Sequence, residues 1–245
     1  MEDPILTSDE RDAINAGRWF ASLSASLRHD ILRLSNVKRY EFGDQIAARG
    51  DPSKYWIGCA KGAVRVSSTS ISGKQITLTY VEPGDWFGDV EMVDGGTHTH
   101  DSIAHGETTV LRVARADFQM LLSLHIELYE AILRLHARRI RQLYGIVTDL
   151  NTLTLRARLA KQLIHLARRP SKRDVSHTVE MRVSLQLWQH ELAQLLGASR
   201  QRVNAELKAM EREDVIRVER SRGLVVRDHD ALKRIVKEEI RAGIQ

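Results

Sequence analysis

The side chains best suited to recognising another molecule lie between residues 199 and 212, where hydrogen-bonding groups recur at helical spacing. Arg200 could donate two hydrogen bonds to guanine, and Gln201 and Asn204 could pair with adenine. Lys208 and Arg212 follow on the same predicted helix and would attract phosphates without reading sequence. The pattern predicts a DNA-reading helix whose contacts are Ser199, Arg200, Gln201, Arg202, Asn204, Lys208 and Arg212.

A tight turn must position this helix. Leu192, Leu195 and Leu196 give the preceding segment one apolar face, and Gly197 can adopt the left-handed conformation that ends a helix. Ser199 suits the N-cap of the second helix. The buried stripe of that helix is predicted to hold Val203, Leu207 and Met210. An ordinary helical hairpin would share this outline, but the polar outward face favours a DNA-binding helix-turn-helix.

Basic residues are concentrated at the same end of the chain. Residues 154–245 carry 20 Lys and Arg against 12 Asp and Glu, a net charge of +8, whereas residues 1–153 carry 17 against 20. Residues 215–218 and 223–226 predict a β-hairpin, and Arg220 and Arg222 at its tip would contact phosphates as a basic wing. Double-stranded DNA is therefore the expected partner. A terminal helix is predicted from about Asp230.

Composition excludes several classes of protein. The single cysteine, Cys59, rules out an internal disulfide framework and a four-cysteine iron–sulfur cluster, and it is expected in a core rather than as a redox sensor. No apolar run approaches the length of a membrane span, and the acidic start does not read as a signal peptide. These features predict a cytoplasmic protein with no membrane partner.

The first half of the chain changes from helical to β character. Residues 8 to about 35 predict a helix that begins near Ser8. From residue 37 to about 116, short β-branched runs alternate with glycine turns at intervals of about ten residues, which predicts a compact β-barrel or β-roll.

Residues 117 to about 150 predict one long helix. Its apolar seam has alternating spacings of four and three and consists of Tyr129, Leu133, His136, Ile140, Leu143, Val147 and Leu150. Such a heptad seam predicts a partner helix, and the simplest partner is a second copy in a parallel homodimer. Packing on its own β-domain is the alternative, for which Leu121, Leu122, Leu128 and Ile132 are available.

The predicted elements divide the chain into three parts. Residues 1–116 would form a helix and a β-roll sensor, and residues 117–153 a dimerisation helix with a hinge at 151–153. Residues 154–245 would form a winged helix-turn-helix domain, with an exposed loop at 170–174.

Three stretches carry a family resemblance. They are residues 42–51, with Phe-Gly-Asp-Gln-Ile and Gly-Asp; residues 83–89, Pro-Gly-Asp-Trp-Phe-Gly-Asp; and residues 191–200, Glu-Leu-Ala-Gln-Leu-Leu-Gly-Ala-Ser-Arg. In this order they resemble the Crp–Fnr family of bacterial transcription regulators, over residues 19–227. The resemblance implies an α+β fold: an N-terminal double-stranded β-helix of the cyclic-nucleotide-binding kind, a long dimerisation helix and a C-terminal winged helix-turn-helix.

The resemblance also implies roles for DNA-contacting residues. Arg200, Gln201 and Ala205 match the family's base-reading positions. The cyclic-AMP receptor branch has Glu and Arg at the last two, so a different half-site within the same palindrome is expected. Trp188 stands where the family commonly has a Ser or Thr cap, and Ser184 could cap that helix earlier.

The implied effector site departs from the family. Gly88-Asp89 matches a Gly-Glu pair that holds ribose, but no arginine lies at 97–100, where an Arg-Ser pair holds the cyclic phosphate. Losing that contact costs about 1.5–3 kcal/mol, so cyclic AMP is not expected to bind tightly. A cyclic nucleotide or a cyclic dinucleotide is a candidate effector, and the sequence identifies no definite cofactor. The residues implied for the pocket are Gly88, Asp89, Thr97, His98, Thr99, His100, Leu143 and Tyr144.

Histidines raise a second possibility for the sensor. His98 and His100 would share a face of a strand and, with His105 or His136, could hold a metal ion or haem. Ordinary surface histidines explain the pattern better, so no metal site is predicted.

The sequence thus predicts a homodimeric regulator that reads a palindrome and has RNA polymerase as a further partner. Two alternatives are a ligand-independent regulator with a purely structural roll and a haem- or metal-based sensor. An enzyme is not expected, because Asp89 and Glu91 are accompanied by no nucleophile or phosphate loop.

Overall fold

The computed structural model describes residues 5–71, 73, 75–168, 181–183, 189–219 and 223–242. The chain forms two compact units that divide between Ile140 and Arg141. The first unit holds the N-terminal helices and the β-roll, and the second holds the C-terminal helices and a small sheet. No helix in the described part of the chain is long and apolar enough to cross a membrane.

Two short helices open the first unit, α1 (Ser8–Ala16) and α2 (Ala25–Arg33), with a single turn of 3-10 helix, Phe20–Ser22, between them. Thr7 and Glu10 cap α1 reciprocally, side chain to backbone. The predicted helical character of residues 8–35 is confirmed, but the segment forms two α-helices and a turn rather than one helix. The chain breaks at Gly17 because this residue packs against Gly84, where a Cβ would lie 2.1 Å from the Gly84 carbonyl oxygen.

Six antiparallel strands form the β-roll. They are β1 (Ser35–Tyr40), β2 (Gln45–Ala47), β3 (Tyr55–Thr69), β4 (Gln75–Val81), β5 (Trp86–Phe87) and β6 (Asp101–Ala114). The sheet order is β1-β6-β3-β4, with β2 paired to β6 and β5 to β3. The long strands β3 and β6 run together from the Tyr55–Ala114 pair to the Ser67–Asp101 pair, which confirms the predicted roll.

Alternating residues of β3 and β6 build two cores. Trp56, Leu111 and Val113 face the helices, whereas Ile57 and Val110 face the interior of the roll. The fully buried Cys59 belongs to the interior, as predicted, and burial raises the pKa of its thiol to about 12.

The predicted long helix is two helices, α4 (Arg115–Leu124) and α5 (Ile126–Thr152). They are separated by His125, whose backbone is extended and whose Nε2 lies 2.9 Å from Asp30 Oδ2 in α2. The break lets both Leu121 and Leu128 enter the core, since each is fully buried. The apolar periodicity continues through the break, which is why the sequence suggested one helix.

The surface of α5 carries an apolar stripe. Six of the seven predicted seam residues are 48–72 % exposed in the single chain: Tyr129, Leu133, Ile140, Leu143, Val147 and Leu150. The seventh, His136, is three-quarters buried and faces the roll.

The second unit combines helices with a four-stranded sheet of order β7-β8-β10-β9. Its helices are α6 (Leu155–Leu166), α7 (Gln189–Leu196), α8 (Arg200–Arg212) and α9 (His229–Ala242). Its strands are β7 (Ala167–Arg168), β8 (Met181–Val183), β9 (Ile216–Glu219) and β10 (Gly223–Val226). The β9–β10 hairpin was predicted, whereas β7 and β8 were not, because runs of two or three residues carry no periodic signal. The predicted loop at 170–174 lies outside the described residues.

Candidate functional site

The turn between α7 and α8 is built by its backbone. Gly197 has a φ of +63°, a left-handed conformation that favours glycine. The Ala198 N–H donates to the Ala193 carbonyl at 3.0 Å, which closes the end of α7. Ser199 then caps α8, and its hydroxyl accepts a hydrogen bond from the Arg202 N–H at 3.3 Å.

Helix α8 separates a buried stripe from an outward polar face. Val203, Leu207 and Met210 are at most 1 % exposed, as predicted. Asn204 is half-buried. The exposed residues of the opposite side include Arg200, Gln201, Arg202, Ala205, Lys208 and Arg212.

Ion pairs hold α8 from the side opposite its outward face. Arg156 of α6 pairs with Glu206 at 3.6 Å and also contacts Glu213. Within the described residues, by contrast, no carboxylate pairs with Arg200 or Lys208. A helix held in this way presents free cations and amides to solvent, as contact with a polyanion requires. Arg220 and Arg222 of the predicted wing, and Ser184 and Trp188 before α7, lie outside the described residues.

In the first unit, the predicted ribose-binding carboxylate is enclosed. Gly88, with a φ of +81°, precedes α3 (Asp89–Asp94), and Asp89 is fully buried. Arg139 Nη1 lies 2.9 and 2.7 Å from the two Asp89 oxygens, and His136 Nε2 lies 2.6 Å from Oδ2. Arg139 also donates to the Trp86 carbonyl at 2.5 Å. We call the side chains of Asp89, His136 and Arg139 the Asp89 clamp.

The clamp fixes the charge state of Asp89. Burial alone would raise the pKa of this carboxyl, but the His136 hydrogen bond and the Arg139 charge outweigh it, so the pKa lies below its ordinary value. The carboxylate is ionised at neutral pH and both its oxygens already have donors. A ribose hydroxyl would have to share these oxygens with the donors from α5.

The segment predicted for the cyclic phosphate faces another carboxylate. Glu91, 7 % exposed, lies 3.8 Å from His98 Nδ1, and its Oε1 accepts from the Thr99 N–H at 3.4 Å. Burial raises the pKa of Glu91, but hydrogen bonds from His98 and Thr99 hold it below its ordinary value. An ionised carboxylate here would repel a phosphate.

The structure corrects the predicted pairing of His98 and His100. Both precede β6 in irregular backbone, so they do not alternate along a strand. His100 Nδ1 lies 2.8 Å from Thr99 Oγ1, and burial lowers the pKa of His100. His105 lies elsewhere, against the rings of Phe42 and Tyr80. In the described part of the chain, no group of three His, Cys, Asp or Glu side chains could hold a metal ion.

Comparison with known proteins places both units in one family. Residues 37–125 match the cyclic nucleotide-binding domain, and residues 157–235 match the Crp-like helix-turn-helix domain. A CRP-like cAMP-activated global transcriptional regulator of Mycobacterium tuberculosis is 30 % identical over 192 residues, which cover 78 % of this chain and 84 % of the relative. The chain belongs to the Crp–Fnr family.

Other Crp–Fnr relatives agree with this assignment. The cyclic AMP receptor protein of Thermus thermophilus is 30 % identical over 76 % of this chain and 83 % of that protein. The solved structure of FixK2 from Bradyrhizobium japonicum is 19 % identical and matches with a TM-score of 0.70, over 82 % of this chain and 96 % of FixK2, which supports the fold. The Mycobacterium tuberculosis relative is a transcriptional regulator.

Within this Crp–Fnr chain, sequence reasoning missed two residues that contact the predicted effector pocket. Arg139 follows His136 by three positions, so both side chains lie on one helix face, and this spacing was an available signal. Glu91 was considered only as a catalytic carboxylate, yet it contacts Thr99 in the segment predicted for the phosphate. Leu143 and Tyr144 are 59 % and 70 % exposed.

Proposed function

We propose that the chain is a homodimeric, sequence-specific transcription regulator that reads a palindromic DNA site with α8. The observation that carries the proposal is the outward face of α8, where Arg200, Gln201 and Lys208 are exposed behind the fixed turn at Gly197. Residues 154–245 would form the DNA-binding domain. Two recognition helices would enter successive major grooves about 34 Å apart. Such a regulator works in the cytoplasm and has RNA polymerase as a further partner.

The apolar stripe of α5 supports the dimer. Apolar side chains that are 48–72 % exposed from Tyr129 to Leu150 of one helix would be costly to leave in water. Pairing with the same stripe of a second copy buries them and satisfies the heptad spacing. Since His136 is engaged with Asp89 in the single chain, the pairing would depend on the six other seam residues.

A selection of bound sequences from random DNA tests the reading function. We expect a palindrome with guanine at the position met by Arg200. Arg200→Ala should then weaken binding to the selected site by about 1–3 kcal/mol and change binding to random DNA much less. Arg234→Ala is the matched control, because that exposed arginine pairs with Asp228 away from α8. Equal losses on both kinds of DNA would contradict a base-reading role for Arg200.

For the roll, we propose a small effector other than cyclic AMP. The support is chemical: both oxygens of Asp89 are engaged by α5, and Glu91 places a negative charge beside Thr99. The cyclic nucleotide-binding domain keeps a cyclic nucleotide or cyclic dinucleotide among the candidates. The same clamp favours a second candidate, a ligand-independent regulator, since the side chains of Asp89, His136 and Arg139 by themselves tie the roll to α5. Calorimetric titration with cyclic mononucleotides and dinucleotides, read beside DNA affinity, separates the two.

A further inference from the structure

The roll contains a cavity of about 420 Å³ that lies apart from the Asp89 clamp. Its walls come from the end of β1, from β2, from the start of β3 and from the end of β6. The residues that matter below are Tyr40, Ile46, Lys54, Tyr55, Ile57 and Arg112. A volume of this size lies within the range of small-molecule pockets.

One wall of the cavity is apolar and aromatic. Tyr40, Ile46 and Tyr55 are partly buried and pack against the inner core of the roll, to which Ile57 belongs. Burial raises the pKa of Tyr40, although nearby Arg112 opposes this, so the ring carries a neutral phenol at physiological pH. Such a wall suits the flat body of an aromatic ligand.

The polar end of the cavity has an excess of positive charge. The Arg112 guanidinium lies 4.5 Å from the centroid of the Tyr55 ring, and its Nε donates to Asn36 Oδ1 at 3.0 Å. These contacts orient the guanidinium but leave its charge without a carboxylate among the described residues. Lys54 also lines the cavity and likewise has no carboxylate partner in the described part of the chain. Asp51 adds one negative charge, so with His98, which also lines the cavity, counted as neutral, the lining carries a net of one positive charge.

We propose that this cavity binds a small aromatic monocarboxylate, with the carboxylate on Arg112 and the ring against Tyr40 and Tyr55. The planar guanidinium matches a carboxylate with two parallel hydrogen bonds. One excess positive charge suits a monoanion better than a dianion. The inference rests on the proposed function, because it names the class of effector for the roll. Of the residues predicted for the effector pocket, only His98 is among those that line this cavity.

Calorimetric titration of the full chain with benzoate, salicylate and 2-naphthoate tests the proposal. We expect at least one of these acids to bind with a dissociation constant below 1 mM, on the order of −4 kcal/mol. Arg112→Gln should weaken that binding by about 10- to 100-fold, since a charge-assisted hydrogen-bond pair is lost. Arg112→Lys keeps the positive charge but cannot donate the two parallel hydrogen bonds of a guanidinium, so it should give an intermediate loss. Arg65→Gln, a change on β3 outside the cavity lining, should leave binding unchanged.

Three results would overturn the proposal: no binding of any acid to the wild type, equal losses in the Arg112 and Arg65 variants, or tighter binding of phenyl phosphate than of benzoate. Circular dichroism of each variant establishes that the fold is retained, and the wild-type titration decides the question even if Arg112→Gln unfolds. DNA selection by the same preparation separates the two proposals. Selective DNA binding without acid binding refutes only the carboxylate site, whereas loss of DNA selectivity refutes the reading function.

Discussion

Replacing Asp89 by Asn should destabilise the first unit through the clamp. The substitution keeps the shape of the side chain but removes the negative charge between His136 and Arg139. Removing one partner of a buried ion pair costs about 3–5 kcal/mol. Because the Arg139 side chain is 34 % exposed and can turn towards water in the variant, we expect a smaller cost of about 2–3 kcal/mol. For a unit of this size, that loss lowers Tm by about 5–10 °C.

The same variant has a predictable dependence on pH. The folded pKa of Asp89 is lowered below its ordinary value of 3.8, so the stabilisation is present above pH 3.8 and is lost as the pH falls through the folded pKa. The difference in stability between wild type and Asp89→Asn should therefore be full at pH 7 and should shrink below pH 3.8.

Thermal unfolding followed by circular dichroism between pH 7 and pH 3 measures both effects. Glu107→Gln is the control, because it removes a carboxylate that is 84 % exposed and pairs with Lys61 on the surface, where little change is expected. A loss no larger than that of the control, or a difference that persists undiminished at acid pH, would refute the reasoning.

Three further predictions follow from the described contacts. Leu143→Asp should convert the dimer to monomers in sedimentation velocity, whereas Thr148→Asp, on a different face of α5, should not; a dimer in both would remove the seam from the interface. Gly17→Ala should lower the free energy of unfolding by about 1–3 kcal/mol, since its Cβ would overlap Gly84, and denaturant unfolding measures this loss. Gly145→Ala, where a Cβ would meet no atom within 4 Å, should raise the free energy of unfolding by up to about 1 kcal/mol. Cys59 should resist thiol reagents in the native protein and react after unfolding, because its pKa is about 12 and it is fully buried; rapid native labelling would contradict the buried position.

Local patterns predicted the elements that depend on neighbours in sequence. The α7–α8 turn needs a glycine at 197, a cap at Ser199 and two apolar stripes, all within about twenty residues, and each lies where the sequence suggested. The strands of the roll followed from β-branched runs and glycine turns in the same way.

Long-range contacts account for what the sequence did not reveal. The clamp joins residues that are 47 and 50 positions apart in the sequence. His136 fits the heptad spacing whether it faces a partner helix or the roll, so the spacing could not show that it contacts Asp89. The break at His125 depends on Asp30, which is 95 positions away. Periodicity reports which face of a helix is apolar, but not which polar group meets a given side chain across the fold.

Glu91 also constrains how this protein could change over evolutionary time. Its carboxylate lies 3.5 Å from Thr99 Oγ1, so a single change of Thr99 to Arg would create an internal ion pair rather than an anion site. The gain of a phosphate contact would appear only after Glu91 had also been replaced, and loss of Glu91 alone would leave His98 without its carboxylate neighbour. The two substitutions are therefore epistatic, and neither of the single-step intermediates is expected to bind a cyclic nucleotide better than the present chain does.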